Sequence, residues 1–124
     1  MRIIETKNAP AAIGPYSLAI VSGGLVYTSG QIPLDPATGV IEVEGIEGQT
    51  HQAVRNLAAV LEAAGSGLGK VVKTTCFLRD MNDFSKFNDI YAQYFPGRPA
   101  RSCVEVSGLP KGALVEIEAV AAID

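Results

Sequence analysis

The chain has 124 residues, 48% of them hydrophobic and 19% charged, with a formal net charge of -3 and a pI near 5.1. That length predicts one domain, residues 1–124, able to bury roughly 65% of its unfolded surface, and the composition excludes a disordered or low-complexity chain. The acidic balance gives no general attraction to nucleic acid or anionic membranes, and no apolar run approaches a membrane span, so the expectation is a cytoplasmic protein with neither partner.

Arg2, Glu5 and Lys7 place charges where a signal peptide needs its apolar stretch. Ile3 and Ile4 then predict a short first strand. Residues 9–15 hold Pro10, Gly14 and Pro15, which break both helix and strand ladders, so this loop delivers Tyr16 to the mouth of the next strand. Residues 17–21 and 25–29 flank Ser22-Gly23-Gly24 and predict a hairpin. Residues 30–39 form a loop whose end, Asp35 to Gly39, has the make-up of a tight turn. Gly30 at the strand end either serves the turn or lets another group approach the backbone closely.

From about residue 48 to 64, Val54, Leu57, Ala58, Leu61 and Ala64 recur at helical spacing, and Gly65 supplies the stop. The one histidine, His51, falls in the first turn off that stripe and is expected to be exposed. Residues 71–78 are rich in β-branched side chains and predict a strand with Val72, Thr74, Cys76 and Leu78 on one side. A second helix is predicted over residues 83–95, capped by Asn82 and ended by Pro96. Its stripe Phe84, Phe87, Tyr91 and Tyr94 reads as core.

Residues 99–106 and 114–120 both alternate with period two, and the turn formers Ser107-Gly108-Leu109-Pro110-Lys111-Gly112 between them predict a closing hairpin. Ser102, Val104 and Val106 would share the core face with Val115, Ile117, Ala119 and Ala121. Arg101, Cys103 and Glu105 would share the other face with Glu116 and Glu118. One register sets Cys103 opposite Glu116 with Arg101 on the diagonal, roughly 7–8 Å away. Such a pair reads either as a surface salt bridge or as two charges flanking a gap for a small molecule.

The expected fold is α+β, a six-stranded, mainly antiparallel sheet with two helices on one face. The other face mixes Leu114, Val120 and Phe77 with charges, and is expected to meet further copies of the chain. Seven of the ten basic residues lie between Lys70 and Lys111, but Asp80, Asp83, Asp89 and Glu105 interleave with them, which argues for solvated faces and against a phosphate-binding stripe. Cys76 and Cys103 lie in predicted strands without CxxC spacing and read as reduced thiols. There is no Walker A loop and no GxGxxG, so a nucleotide cofactor has no obvious cradle, and no carboxylate cluster suggests a metal cage. What remains is an arginine that matches a carboxylate, a glutamate able to orient or deprotonate water, a phenol and a loop glycine.

Four stretches give these residues a wider context: Ile13-Gly14-Pro15-Tyr16-Ser17, Thr28-Ser29-Gly30-Gln31-Ile32-Pro33, Val72-Lys73-Thr74-Thr75-Cys76-Phe77-Leu78, and Pro99-Ala100-Arg101-Ser102 with Leu109-Pro110 and Val115-Glu116-Ile117-Glu118. Together they resemble the reactive intermediate deaminase (Rid, or YjgF) family from end to end, in the subgroup that carries the pocket arginine. The resemblance implies a chorismate-mutase-like fold, a homotrimer with pockets between subunits, and cofactor-independent hydrolysis of 2-imino acids such as 2-iminobutanoate and 2-iminopropanoate. By position it implies that Arg101 clamps the substrate carboxylate, Glu116 positions the attacking water and Tyr16 hydrogen-bonds near the imine nitrogen. Gly30 and Cys103 would line the pocket, Cys103 through its backbone, with Ser29 beside them. The rival readings are a regulatory protein that binds a small carboxylate without turning it over, and a ribonuclease or translation inhibitor.

Overall fold

The computed structural model describes residues 1–123. Three short strands open the chain: β1 (Arg2–Ile4), β2 (Ala19–Ser22) and β3 (Leu25–Thr28), paired antiparallel in sequence order. The β2–β3 turn uses Gly23 and Gly24 at φ of 61° and 79°, the left-handed pair that matches the twist of a two-residue hairpin. Helix α1 (Gly45–Ala63) begins three residues before the expected start and stops at Gly65, whose φ is 84°. Its apolar stripe, with Val54, Leu57, Val60 and Leu61 fully buried, packs on the sheet.

Strand β4 (Val71–Leu78), helix α2 (Phe84–Tyr94), strand β5 (Ala100–Glu105) and strand β6 (Val115–Ala122) complete the fold. The sheet order is β1-β2-β3-β6-β4-β5, with β4 and β5 parallel and all other neighbours antiparallel. This is the expected six-stranded, mainly antiparallel sheet. Both helices contribute to the core on one of its faces, where Leu57, Leu61 and Phe87 meet Val26, Leu78, Val115 and Ile117.

The closing hairpin is not formed. Helix α2 carries the chain across so that β5 lies parallel to β4 at the sheet edge, and β6 then inserts between β4 and β3. The turn formers of residues 107–112 do turn the chain, but they say nothing about which strand waits on the far side. Between two partners, β6 has its backbone groups satisfied on both edges and buries Val115, Ile117, Ala119 and Ala121.

The faces change accordingly. Thr74 pairs with Arg101 and Cys76 with Cys103, while Phe77 pairs with both Val104 and Glu116. Paired residues share a face, so Arg101 and Cys103 stand on the helix side and Glu116 on the open side. Ser102 and Val104, expected in the core, are exposed.

Smaller corrections have local causes. A register shift between Val71 and Lys73 breaks the alternation, leaving Val72 49% exposed. Asp80, not Asn82, starts the second helical segment: its Oδ1 accepts from the Asn82 N–H at 2.9 Å and opens a single 3-10 turn, Met81–Asp83, ahead of α2. His51 lies in the second turn of α1, half-buried, with Nδ1 2.6 Å from the Tyr94 hydroxyl, and so ties α1 to α2. Among the described residues no helix is long and apolar enough to cross a membrane.

Candidate active site

The chain leaves β3 through Ser29, whose N–H donates to the Leu18 carbonyl at 2.9 Å and whose hydroxyl donates to the Ser17 carbonyl at 2.6 Å. Gly30 follows. Gln31 then exchanges two backbone bonds with Ile117, its N–H donating at 2.8 Å and its carbonyl accepting at 3.1 Å. That bridge holds the 30–34 loop against β6 beside Glu116. A Cβ on Gly30 would lie 2.6 Å from Cδ and 2.8 Å from Cγ of Glu116, so the glycine is required by a close approach and not by a turn.

Tyr16 reaches the same corner from the other side. Its N–H donates to the Gly14 carbonyl at 2.9 Å, and its hydroxyl accepts from the Ile13 N–H at 3.2 Å, wrapping the proline-rich loop around the ring. Tyr16, Gly30 and Glu116 line one cavity of about 40 Å³, walled by apolar residues that include Pro10, Ile13 and Ile32. It has space for roughly one water, not for a whole small acid. Loss of hydration pushes the half-buried Glu116 carboxyl above its ordinary range, and Glu118 two residues on adds to the shift.

Arg101 is built into a separate cluster. Its guanidinium carbon sits 4.8 Å from the Tyr91 ring centre, 5.5 Å from Phe84 and 5.9 Å from Phe87, within cation–π range of all three. Nη1 donates to Asn88 Oδ1 at 2.8 Å. Asn88 is neutral, so this bond fixes the direction of the guanidinium without cancelling its charge. Tyr91 is itself held by Thr74, hydroxyl to hydroxyl at 2.7 Å, and Thr74 is the strand partner of Arg101.

Cys103 stands two residues along from Arg101 on that side. Burial pushes its thiol above the ordinary range, and pushes the neighbouring Cys76 to about 12. Both sulfurs are therefore protonated and poorly nucleophilic near neutral pH.

Of the residues singled out from the sequence, Tyr16, Gly30 and Glu116 come together, with Ser29 shaping the turn beside them. Arg101 and Cys103 do not join them within one chain. Arg101 pairs at Thr74 and Glu116 at Phe77, which separates them by two strand spacings across, about 10 Å, and three residues along, about 10 Å, on opposite faces. The residues the sequence reading missed are Asn88 and the aromatic shelf. Their signal was present: Phe84, Phe87, Asn88 and Tyr91 lie on one helix face, and an amide set into an aromatic stripe marks a polar partner nearby. Among the described residues no group of three or more His, Cys, Asp or Glu could hold a metal ion.

Gly30→Ala is expected to displace the Glu116 carboxyl from the corner while leaving the sheet intact. Any reaction that depends on Glu116 should fall at least about tenfold, while the melting temperature changes by only a few degrees. Steady-state kinetics with a thermal melt on the same preparation checks this.

A two-layer α+β protein with an open sheet face, an arginine on an aromatic shelf and a glutamate at a glycine corner is the class that fold and site define. The chain belongs to the Rid (YjgF) family; the family model described as Endoribonuclease L-PSP matches residues 6–123. A RutC family protein of Pyrococcus horikoshii is 54% identical over 120 residues, covering 96% of this chain and 95% of its own. The 2-iminobutanoate/2-iminopropanoate deaminase of Salmonella typhimurium is 49% identical over 124 residues, covering 97% of this chain and 96% of its own. Among solved structures, E. coli TdcF with bound serine superposes with a TM-score of 0.94 at 43% identity, with full coverage of both chains.

Proposed function

We propose that the protein is a cofactor-independent 2-imino acid deaminase, hydrolysing 2-iminobutanoate and 2-iminopropanoate to 2-keto acids and ammonia in a homotrimer whose pockets lie between copies. The observation that carries this reading is Glu116, a carboxyl held against Gly30 with its pKa raised, in a cavity with room for about one water. The deaminase names of relatives at about half identity support the substrate.

Arg101 and Glu116 face opposite sides of one sheet, so a site that uses both draws them from two copies. Arg101 sits on edge strand β5, within reach of a neighbour. The open face supplies the adhesive surface: Ile3, Ile20, Tyr27 and Val120 form one apolar row across four strands, with Ile3 58% and Tyr27 45% exposed.

In this pocket the Arg101 fork of one copy binds the substrate carboxylate, and Glu116 of the next takes a proton from water as the oxygen adds to C2 of the imine. Glu116 returns that proton to the nitrogen, giving a carbinolamine; its hydroxyl proton then passes through the same carboxylate to the nitrogen, which departs as ammonia as the carbon–nitrogen bond breaks and the carbonyl forms. The products are one keto acid and one ammonia per water consumed. The Tyr16 hydroxyl lies on the side of the imine nitrogen, Gly30 and Cys103 line the pocket through their backbones, and Ser29 holds the turn. Imines hydrolyse in water already, so orientation and charge placement are the whole task.

A second reading, a small-carboxylate binder, is favoured by one observation: the relative TdcF holds serine in its crystal structure. The family description speaks of RNA cleavage, but His51 is engaged with Tyr94 and does not line the Glu116 cavity. The deciding test generates 2-imino acids with an amino-acid oxidase and traps them with semicarbazide. The deaminase reading requires that the protein suppress adduct formation. No suppression across several side chains overturns it in favour of binding.

A further inference from the structure

One polar ridge crosses the mainly apolar inner side of α1. Gln49, Gln52 and Asn56 lie three and four residues apart on one helix face, and Gln49 and Asn56 are 7% and 1% exposed. Asparagine is a poor helix former, so a buried one in mid-helix indicates a tertiary demand. The Asn56 amide nitrogen donates to the Ile32 carbonyl at 3.0 Å and to the Leu34 carbonyl at 2.8 Å, and Oδ1 accepts from Gln52 Nε2 at 2.9 Å. Both loop partners can only accept, which sets the orientation of the amide. Every polar atom of the group is thus engaged, two of its three bonds reaching a loop 22 and 24 residues away in sequence.

That loop is the wall of the Glu116 cavity. Gly30, Gln31, Ile32 and Leu34 line it, and Ile32 and Leu34 bury their side chains against Ala113. Gln49 reaches the other wall, its Oε1 accepting from the N–H of Leu114, two residues before Glu116, at 2.8 Å. Asn56 itself does not line the cavity.

We infer that Asn56, braced by Gln52, is a positioning residue for the reaction: from the helix side it clamps the 30–34 loop so that Gly30 stays closed over Glu116, while Gln49 fixes the start of β6 in the same frame. The inference rests on the proposed function for its effect on activity, and on geometry alone for its effect on the loop. With the clamp released, the loop lifts, water reaches Glu116, and the raised carboxyl pKa relaxes downwards. The other titratable groups on that side, Glu118 on β6, Tyr16 from the loop and Lys73 on β4, stay as they are.

The test uses the whole chain with Asn56→Leu, which keeps the branched outline of the side chain and removes both donors, and with the milder Gln52→Met, which removes only the brace. Hydrogen exchange is expected to quicken about tenfold or more at the amides of Gln31 and Leu34 in Asn56→Leu, with β4 and β6 amides such as Cys76 within about twofold of wild type. Imine hydrolysis should lose about tenfold in kcat with KM little changed, and the acidic limb of its pH profile should move to lower pH. A reduced folded fraction alone moves neither that limb nor exchange at selected amides. Gln52→Met should show the same pattern at smaller size. Exchange unchanged at 31 and 34, acceleration spread evenly over the sheet, or an unmoved acidic limb overturns the inference. If the wild type does not hydrolyse imines, the proposed function fails by itself, and the exchange measurement alone decides whether Asn56 positions the loop.

Discussion

Arg101→Ala is expected to lower kcat/KM for 2-imino acid hydrolysis by 10²-fold or more and to restore semicarbazide trapping to the level seen without protein. In the proposed function the guanidinium supplies two parallel charge-assisted bonds to the substrate carboxylate, each contributing about 1.5–3 kcal/mol, and about 1.4 kcal/mol is a factor of ten in rate. The cost to the fold is small, because the side chain lies half-buried on the shelf of Phe84, Phe87 and Tyr91 and not in the sheet core. The melting temperature should stay within a few degrees of wild type. Arg101→Lys keeps the charge but not the fork, so it should recover part of the activity and fall well short of wild type. Unimpaired hydrolysis by a folded Arg101→Ala protein would sink the anchor role.

Glu116→Gln carries the second large effect, and it divides into three readings. If Glu116 is the base and Arg101 the carboxylate anchor of the proposed function, the substitution should lower kcat by about 10²–10⁴-fold while binding of a 2-keto acid survives. Stability should move the other way. The folded-state pKa of Glu116 is raised above the ordinary 4.5, so the folded protein holds its proton more tightly than the unfolded chain. That contribution is fully present below pH 4.5 and is lost as pH rises through the folded value, so near neutral pH the ionised carboxylate weighs against folding. The neutral glutamine should therefore melt higher than wild type at pH 7, and the difference should vanish in acid. An equal or lower melting temperature at pH 7 contradicts the desolvation account.

The third reading mixes the two inactive proteins. If each pocket joins Arg101 of one copy to Glu116 of the next, refolding Arg101→Ala with Glu116→Gln in equal amounts rebuilds intact pockets. Random assortment at the interface makes them about a quarter of the total. A mixture as inactive as its components would show that the two residues do not meet across copies.

Much of the architecture was legible because it follows from near neighbours in the chain. Gly23-Gly24 admits the left-handed turn whatever surrounds it, the spacing of Val54, Leu57 and Leu61 makes a stripe wherever the helix packs, and Gly65 ends α1 by its own backbone freedom. The corner of Tyr16, Gly30 and Glu116 came from motif residues lying far apart in the chain, and these three do meet. Asn88 and Asn56 stayed hidden for a common reason: each is a polar residue inside a helix whose partners, Arg101 in one case and the 32–34 carbonyls in the other, are named only by the folded chain.

By itself, then, the sequence determined the elements, two helices and six strands among the described residues, and singled out the residues to which the proposed function gives the chemistry. The tertiary structure decided which of them share a face. Period-two alternation in residues 100–105 reads the same whichever strand lies alongside, and the nearest turn suggested β6. Only the crossover through α2, which sets β5 parallel to β4 and leaves β6 to fill the sheet between β4 and β3, turns Arg101 towards the aromatic shelf and leaves Glu116 on the opposite side. Strand pairing is a contact between segments distant in sequence, selected by what each edge and face can bury, and no local pattern encodes it.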